Sequence, residues 1–214
     1  MSYVQVISIA TALVASGGIA TLTFFDVPEL QSQPASRSLP AMRWLFSRGS
    51  HIFPSASLIS TAGFIYAAAA NNPQGLRTLY SLGRNSFRVN GFLAAAALSF
   101  SIAPFTSLIM IPTNFAIIRE NNKLGGTRSQ AAASKAQASG GASTNRSALD
   151  SVDGKGEGVQ FTDLSGPQER TARDSTTEED EKAWQLLEKF RWLNFGRSVL
   201  IGAGGVVGLV AALP

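Results

Sequence analysis

Charge is confined to one part of this chain, and that confinement limits what it can fold into. Of its 18 basic and 14 acidic side chains, 20 lie between Arg119 and Lys182, and the other 150 residues share only 12. A helix crossing the hydrocarbon core needs about 20 mainly apolar residues. Four stretches outside the charged segment reach or approach that length, at 3–25, 46–70, 89–118 and 195–213. The pattern predicts an all-α fold: one membrane domain over 1–214, a four-transmembrane-helix bundle, with a long disordered hydrophilic loop between helices 3 and 4. The overall 45% hydrophobic content looks ordinary only because that loop dilutes it. The first stretch is uncharged and lacks a basic leader, so it reads as a retained helix and not a secretory signal.

Composition narrows the chemistry. There is no cysteine, which excludes disulfides and thiolate catalysis, and the single histidine, His51, cannot build a multi-histidine metal centre within one chain. The expectation is chemistry with no metal and no cofactor. A net charge of +4 without a dense basic patch and interleaved aromatics gives no sign of nucleic-acid binding. Arg37, Arg43 and Arg48 flank the first loop, and Arg119, Lys123, Arg128, Lys189, Arg191 and Arg197 flank the third. Only Arg77, Arg84 and Arg88 lie on the other side. The positive-inside rule then places the first and third loops in the cytosol and both termini outside it. On that topology the only glycosylation sequon, Asn145-Arg146-Ser147, is expected to stay unmodified.

Between the spans, residues 26–43 carry Pro28, Pro34 and Pro40 and read as a connector too proline-rich for one continuous helix. The second connector, 71–88, opens on Asn71-Asn72-Pro73-Gln74-Gly75 and is short enough to make helices 2 and 3 antiparallel neighbours. Residues 121–177 shift to Gly, Ser, Ala, Thr, Lys and Asp, with few large apolar groups to offset ordering entropy. Disorder is expected there, and 125–175 are expected to be dispensable. Next, Glu178 to Glu181 form an acidic first turn with Thr177 as N-cap. Trp184, Leu187, Phe190 and Asn194 recur at helical spacing, so 178–194 read as an amphipathic lead-in to the last span. Gly204 and Gly208 have GxxxG spacing, read as close packing inside the bundle.

Polar side chains at membrane depth are default functional candidates, because lipid tolerates them only when they are paired or face a cavity. Arg48 and His51 share a face at the start of the second span, with Trp44 one turn before Arg48. His51 is the obvious proton acceptor, and a neighbouring Arg48 would hold it neutral. The bland alternatives are an interfacial histidine and arginines that snorkel to lipid phosphates. Tyr66 lies further along the second span. The third offers Thr106, Thr113 and Asn114 around Pro104 and Pro112, a polar notch suited to a flat, mostly apolar ligand with a few oxygens. The fourth opens with Asn194 and Arg197.

Several of these residues stand in a familiar order. Ala103-Pro104-Phe105-Thr106 followed by Met110-Ile111-Pro112-Thr113-Asn114 resembles the third-helix signature of the fungal anthrone oxygenase family of four-helix membrane proteins. Arg48-Gly49, Pro54 and Tyr66 in the second helix, Pro28 after the first, and Trp192-Leu193-Asn194 with Arg197 add to it. The resemblance covers the helices and not the loop. It implies oxidation of a polyketide-derived anthrone to the anthraquinone by molecular oxygen, in fungal secondary metabolism, by a multi-pass protein of the endoplasmic reticulum or a derived vesicle. Polyketide synthase pathway enzymes are the implied associates, and membrane lipid the surroundings. On this reading His51, which belongs to the residue argument and not to the family match, is the base. Arg48, Asn114 and Arg197 stabilise oxyanion or peroxide, and Tyr66, Thr106, Thr113, Trp192 and Asn194 contact the substrate. A non-catalytic four-helix scaffold and a small-molecule carrier are the alternatives.

Overall fold

The computed structural model describes residues 1–73, 79, 81–155 and 162–213; Gln74, Gly75, Arg77 and Pro214 of the sequence reading lie outside the described residues. All regular structure among them is helical. Helix α1 (Tyr3–Thr21) passes through a π-helical turn (Leu22–Asp26) into α2 (Val27–Gln31), and α3 spans Ala35–Ala70. After a short 3-10 turn (Leu82–Arg84), α4 (Phe87–Phe105) passes through a second π turn (Thr106–Met110) into α5 (Ile111–Lys123). Two short helices, α6 (Gln130–Ala138) and α7 (Ala148–Val152), precede the long α8 (Thr177–Ala212). Four continuous helical stretches are long and apolar enough to cross a membrane: Tyr3–Gln31, Ala35–Ala70, Phe87–Lys123 and Thr177–Ala212.

Both π turns have the same cause. Each ends two residues before a proline, Pro28 or Pro112, that sits in the first turn of the following helix. A proline ring collides with the carbonyl four residues back, and widening the preceding turn moves that carbonyl aside while the chain stays helical. The connector expected over 26–43 is therefore helical apart from residues 32–34. Pro40 lies inside α3, where it removes the donor that would have met the Ser36 carbonyl, and the backbone N–H of Thr171 takes that carbonyl instead at 2.8 Å.

The chain divides into two compact units, the first formed by Met1–Thr21, Ile52–Leu108 and Asn194–Pro214. Parts of α1, α3, α4 and α8 meet there around Ile19, Phe64, Phe92, Ala95 and Ile201, with the Phe64 and Phe92 rings stacked at 6.5 Å. Contact is close because the facing residues are small. A Cβ at Gly204 would come within 2.7 Å of Ser99 Oγ, and one at Gly208 within 2.4 Å of Phe64, so the GxxxG spacing is used inside the chain. Hydroxyls cross-link the helices: Ser57 donates to the Ser99 carbonyl at 2.7 Å, and Ser16 and Ser198 donate to each other's carbonyls at 2.9 and 3.0 Å. No Asp or Glu occurs anywhere in the sequence of this unit.

The second unit, Leu22–His51 and Ile109–Leu193, buries its own apolar core, with Leu39, Met42, Met110, Ile117, Leu124 and Leu187 fully covered, and adds a set of polar contacts to it. Of the 121–177 stretch expected to be disordered, residues 156–161 lie outside the described residues, and the described parts carry short helices and hydrogen-bonded turns. The helix α5 ends in a Schellman turn, with Gly125 at φ 74° and Gly126 N–H bonded to the Asn121 carbonyl at 2.8 Å. Ser129 and Ser147 cap α6 and α7. The connecting segment then bonds to α3. Arg43, only 2% exposed, donates to the Ser151 carbonyl at 2.8 Å and to its hydroxyl at 3.2 Å. The first N–H groups of α3, at Ala35 and Ser36, are capped by Asp180 Oδ1 (2.6 Å) and Ser175 Oγ (3.1 Å). Thr176, and not the expected Thr177, caps α8 through a reciprocal box with Glu179. These contacts come from hydrogen bonds by short polar residues and backbone groups, which a count of apolar residues does not register.

Candidate functional site

In the first unit the polar groups that open the last span are held by backbone and rings. Asn194 is wholly buried, and its Nδ2 donates to the Ile19 carbonyl at 2.9 Å, in the last turn of α1 just before the π turn. Its Oδ1 accepts from Arg197 Nη1 at 3.5 Å, and the Arg197 guanidinium stands 5.8 Å over the Phe53 ring. A cation against an aromatic face away from water gains more than one at the surface. Rings pack against glycines here: a Cβ at Gly18 would lie 3.4 Å from Phe53, and one at Gly196 3.3 Å from Phe105, at or just inside ordinary contact. Thr106 turns back on its own helix, donating to the Ile102 carbonyl at 2.6 Å.

Arg48 and His51 belong to the second unit, on the polar half of α3. Arg48 Nη2 donates to the Ser165 carbonyl at 3.0 Å, and its guanidinium lies 5.1 Å over the Trp44 ring, whose Nε1 donates to the same carbonyl at 2.9 Å. One carbonyl of the connecting segment thus positions both side chains. That carbonyl is fixed in turn by Asp163, which accepts from Ser165 N–H (3.0 Å), from Ser165 Oγ (2.6 Å) and from Ser129 Oγ. Partial burial raises the Asp163 pKa, but these hydrogen bonds and the Arg128 charge outweigh it and hold the carboxyl below its ordinary value. His51 is half-buried, one turn after Arg48.

Thr113 and Asn114 follow Pro112 in α5. The Thr113 hydroxyl and the Asn114 amide oxygen are buried with no hydrogen-bond partner among the described residues. A buried polar atom without a partner costs about 1–3 kcal/mol, and each of these two oxygens is able to accept a hydrogen bond. Two other sequence candidates sit elsewhere. Tyr66 is 59% exposed, and Trp192 is 56% exposed with its Nε1 bonded to Glu188 Oε1 at 2.7 Å. Both side chains point outward from their helices, Trp192 beside Arg191 at 5.3 Å.

Sequence reading missed Phe53, Phe105, Ser165 and Asp163. Phe53 and Phe105 had the signal of an aromatic within a turn of a candidate polar residue. Nothing local marks Ser165, which meets Arg48 across 117 positions of sequence. Among the described residues no group of three or more His, Cys, Asp or Glu side chains gathers as a metal site.

Comparison with known proteins follows the same helices. The family described as Anthrone oxygenase matches residues 42–207, from the first half of α3 to the last turns of α8. A protein of Claviceps purpurea (strain 20.1) named "Anthrone oxygenase" is 33% identical over 119 residues, covering 53% of this chain and 60% of that relative. The match therefore spans less than two thirds of the relative's length. No solved structure matches.

Proposed function

The chain belongs to the anthrone oxygenase family, and from that premise we propose that it oxidises an anthrone to the corresponding anthraquinone with dioxygen, in a membrane and without metal or flavin. The chemistry suits a chain with one histidine and no cysteine. Loss of a proton from the central methylene gives an aromatic anthranolate, electron-rich enough to react with dioxygen directly. Transfer of electrons to dioxygen and formation of a carbon–oxygen bond leave a hydroperoxide at that carbon. Removal of the remaining hydrogen then breaks the O–O bond, so that one oxygen stays as the new carbonyl and the other leaves as water.

Such a reaction requires a dry, flat site with a fixed donor for the anionic oxygen. The observation that carries this reading is Arg197, set over Phe53 and hydrogen-bonded to the wholly buried Asn194. Arg197 is assigned to the anthranolate or peroxide oxygen, with Asn194 as the residue that positions it. Asn114 and Thr113 are assigned as further polar contacts to ligand oxygens, and His51 as the base. Arg48, held by Ser165 and Trp44, is a positioning group for the polar half of α3. Tyr66 and Trp192, exposed on their helices, are given no part. The endoplasmic reticulum or a vesicle derived from it, and the company of polyketide-forming enzymes, complete the proposal.

Membranes containing the protein are expected to oxidise an anthrone faster than it autoxidises. Arg197→Met should lower the initial rate, corrected for protein level and autoxidation, about 10²-fold, the usual cost of one oxyanion donor. An unchanged rate in that variant would remove Arg197 from the reaction. His51→Ala is read separately: a rate close to wild type would dismiss the base and leave the anion site standing.

A further inference from the structure

A second polar feature lies in the first unit, at the end where α1 and α4 begin and α3 and α8 finish. There an open pocket of about 500 Å³ is lined by Ser2, Gln5, Ala67, Asn71, Arg88 and Ala212, among others. Its walls are small, and Arg88 and Gln5 are its principal donors. Arg88 anchors one arm of its guanidinium, Nη2 to the Leu213 carbonyl at 2.7 Å, and a guanidinium has further N–H groups to give. Gln5 is buried and its Oε1 is occupied by the Ser2 N–H at 2.8 Å, which leaves its amide hydrogens as donors. Asn71 Nδ2 is tied back to the Ala67 carbonyl at 2.8 Å and shapes the rim. The segments of this unit contain no Asp or Glu, so no acidic side chain of the unit competes for Arg88.

Depth in the bilayer adds to the argument. The pocket opens at the helix ends, and exposed aromatic residues, Tyr3 on α1 and Phe87 beside Arg88 on α4, stand at the same level. Tyrosine at a helix end is characteristic of the level of the lipid headgroups. Arginine's planar fork matches phosphate oxygens, and the pairing strengthens where water is scarce.

We propose that this pocket binds a phosphate group, that of a phospholipid headgroup resting between the ends of α1, α3 and α4. The site is separate from the reaction assigned above. It needs neither anthrone nor dioxygen, so its test does not depend on that assignment.

The test measures binding to the full-length protein in neutral detergent micelles, using phosphatidic acid and, as control, diacylglycerol with the same chains and no phosphate. Wild type should bind phosphatidic acid in preference to diacylglycerol. Arg88→Met should weaken that binding about tenfold, as expected for one charge-assisted fork. Arg84→Met, an exposed arginine outside the pocket, should change it less than about twofold, since surface charge alone contributes little. Inorganic phosphate is added as a competitor in a second arm. Competition by millimolar phosphate makes free phosphate a ligand of the same site, and its failure to compete assigns the site to the lipid. Equal binding of the two lipids, an Arg88→Met protein that binds like wild type, or an equal loss in Arg84→Met would each overturn the proposal. Should Arg88→Met not purify folded, Gln5→Leu removes a donor without a charge; about threefold weaker binding is expected, and no change overturns it.

Discussion

Both units of this chain bury an apolar core, but the first adds close helix contact through small residues and the second adds a buried polar network. In the first, small residues let four helices touch, and the core mixes alanine with isoleucine, valine and phenylalanine, with isolated hydroxyls that bond to carbonyls. In the second, an apolar core that includes Leu39, Met42, Ile117 and Leu187 is joined by buried Arg43, Thr127, Arg128, Ser129 and Asn121, and backbone groups left over by helix ends and prolines are met by a segment distant in sequence. Packing density resists shape changes, whereas a polar network resists only while every partner is in place. The units should therefore fail under different insults.

The largest difference is expected on replacing 125–175 with a Gly/Ser linker. Hydropathy predicts almost no effect, since the segment buries little apolar surface. The structure predicts collapse of the second unit, because the deletion removes Ser151 from the buried Arg43 and Thr171 from the carbonyl that Pro40 leaves without its helical donor. Hydrogen bonds to a buried charge contribute about 1.5–3 kcal/mol each, so the two Arg43 bonds alone are a large fraction of an ordinary domain's stability. Expression, monodispersity and protease resistance of the 22–51 region are the readout, and wild-type behaviour would return the segment to the role of a tether.

A smaller effect, confined to the first unit, is expected from Gly208→Val. The new Cβ would meet Phe64, which is fully buried and stacked on Phe92, so relief requires moving a ring inside the core. Overpacking of this kind costs about 1–3 kcal/mol. Thermal denaturation should show a lowered midpoint while Arg43 and Trp44 keep their surroundings, read by hydrogen exchange across 35–48. Equal loosening of both units would show that they do not fail separately.

That contrast also explains what the sequence made legible. The four spans and the use of Gly204 and Gly208 follow from composition and spacing, because lipid selects side chains one at a time. Asn194 and Arg197 stand out for the same reason. What could not be read were relations between distant positions: Ser165 under Arg48, Asp180 capping α3, Thr171 answering Pro40. Each is a single short polar residue meeting a backbone group or a guanidinium more than a hundred positions away, and neither periodicity nor hydropathy encodes such a pairing. Proline misled in a related way at one position: Pro28 read as part of a connector, but a π turn before it lets the helical stretch continue, as one does before Pro112 inside the expected third span.

The smallest effect, and the one most specific to the comparison, is acid. With no Asp or Glu in its sequence, the first unit has no carboxyl side chain to titrate. In the second, Asp163 fastens the Ser129 and Ser165 hydroxyls and lies near Arg128, and its pKa is held below the ordinary aspartate value. A carboxyl with a depressed folded-state pKa contributes its full stabilisation above the unfolded-state value and loses it as pH falls through the folded-state value. The loss is therefore expected below the normal aspartate range, not near neutrality, and it should be modest because Asp163 is only partly buried. Hydrogen exchange at pH 7 and at about pH 3 should show the 124–155 and 162–176 regions loosening in acid while the helices of the first unit keep their protection. Asp163→Asn should reproduce part of that loosening at pH 7 and flatten the response of the Ser165 turn between the two conditions. A turn equally protected at both pH values in the wild type would mean that Asp163 does not hold Ser165, and that the carbonyl under Arg48 and Trp44 is fixed by the backbone alone.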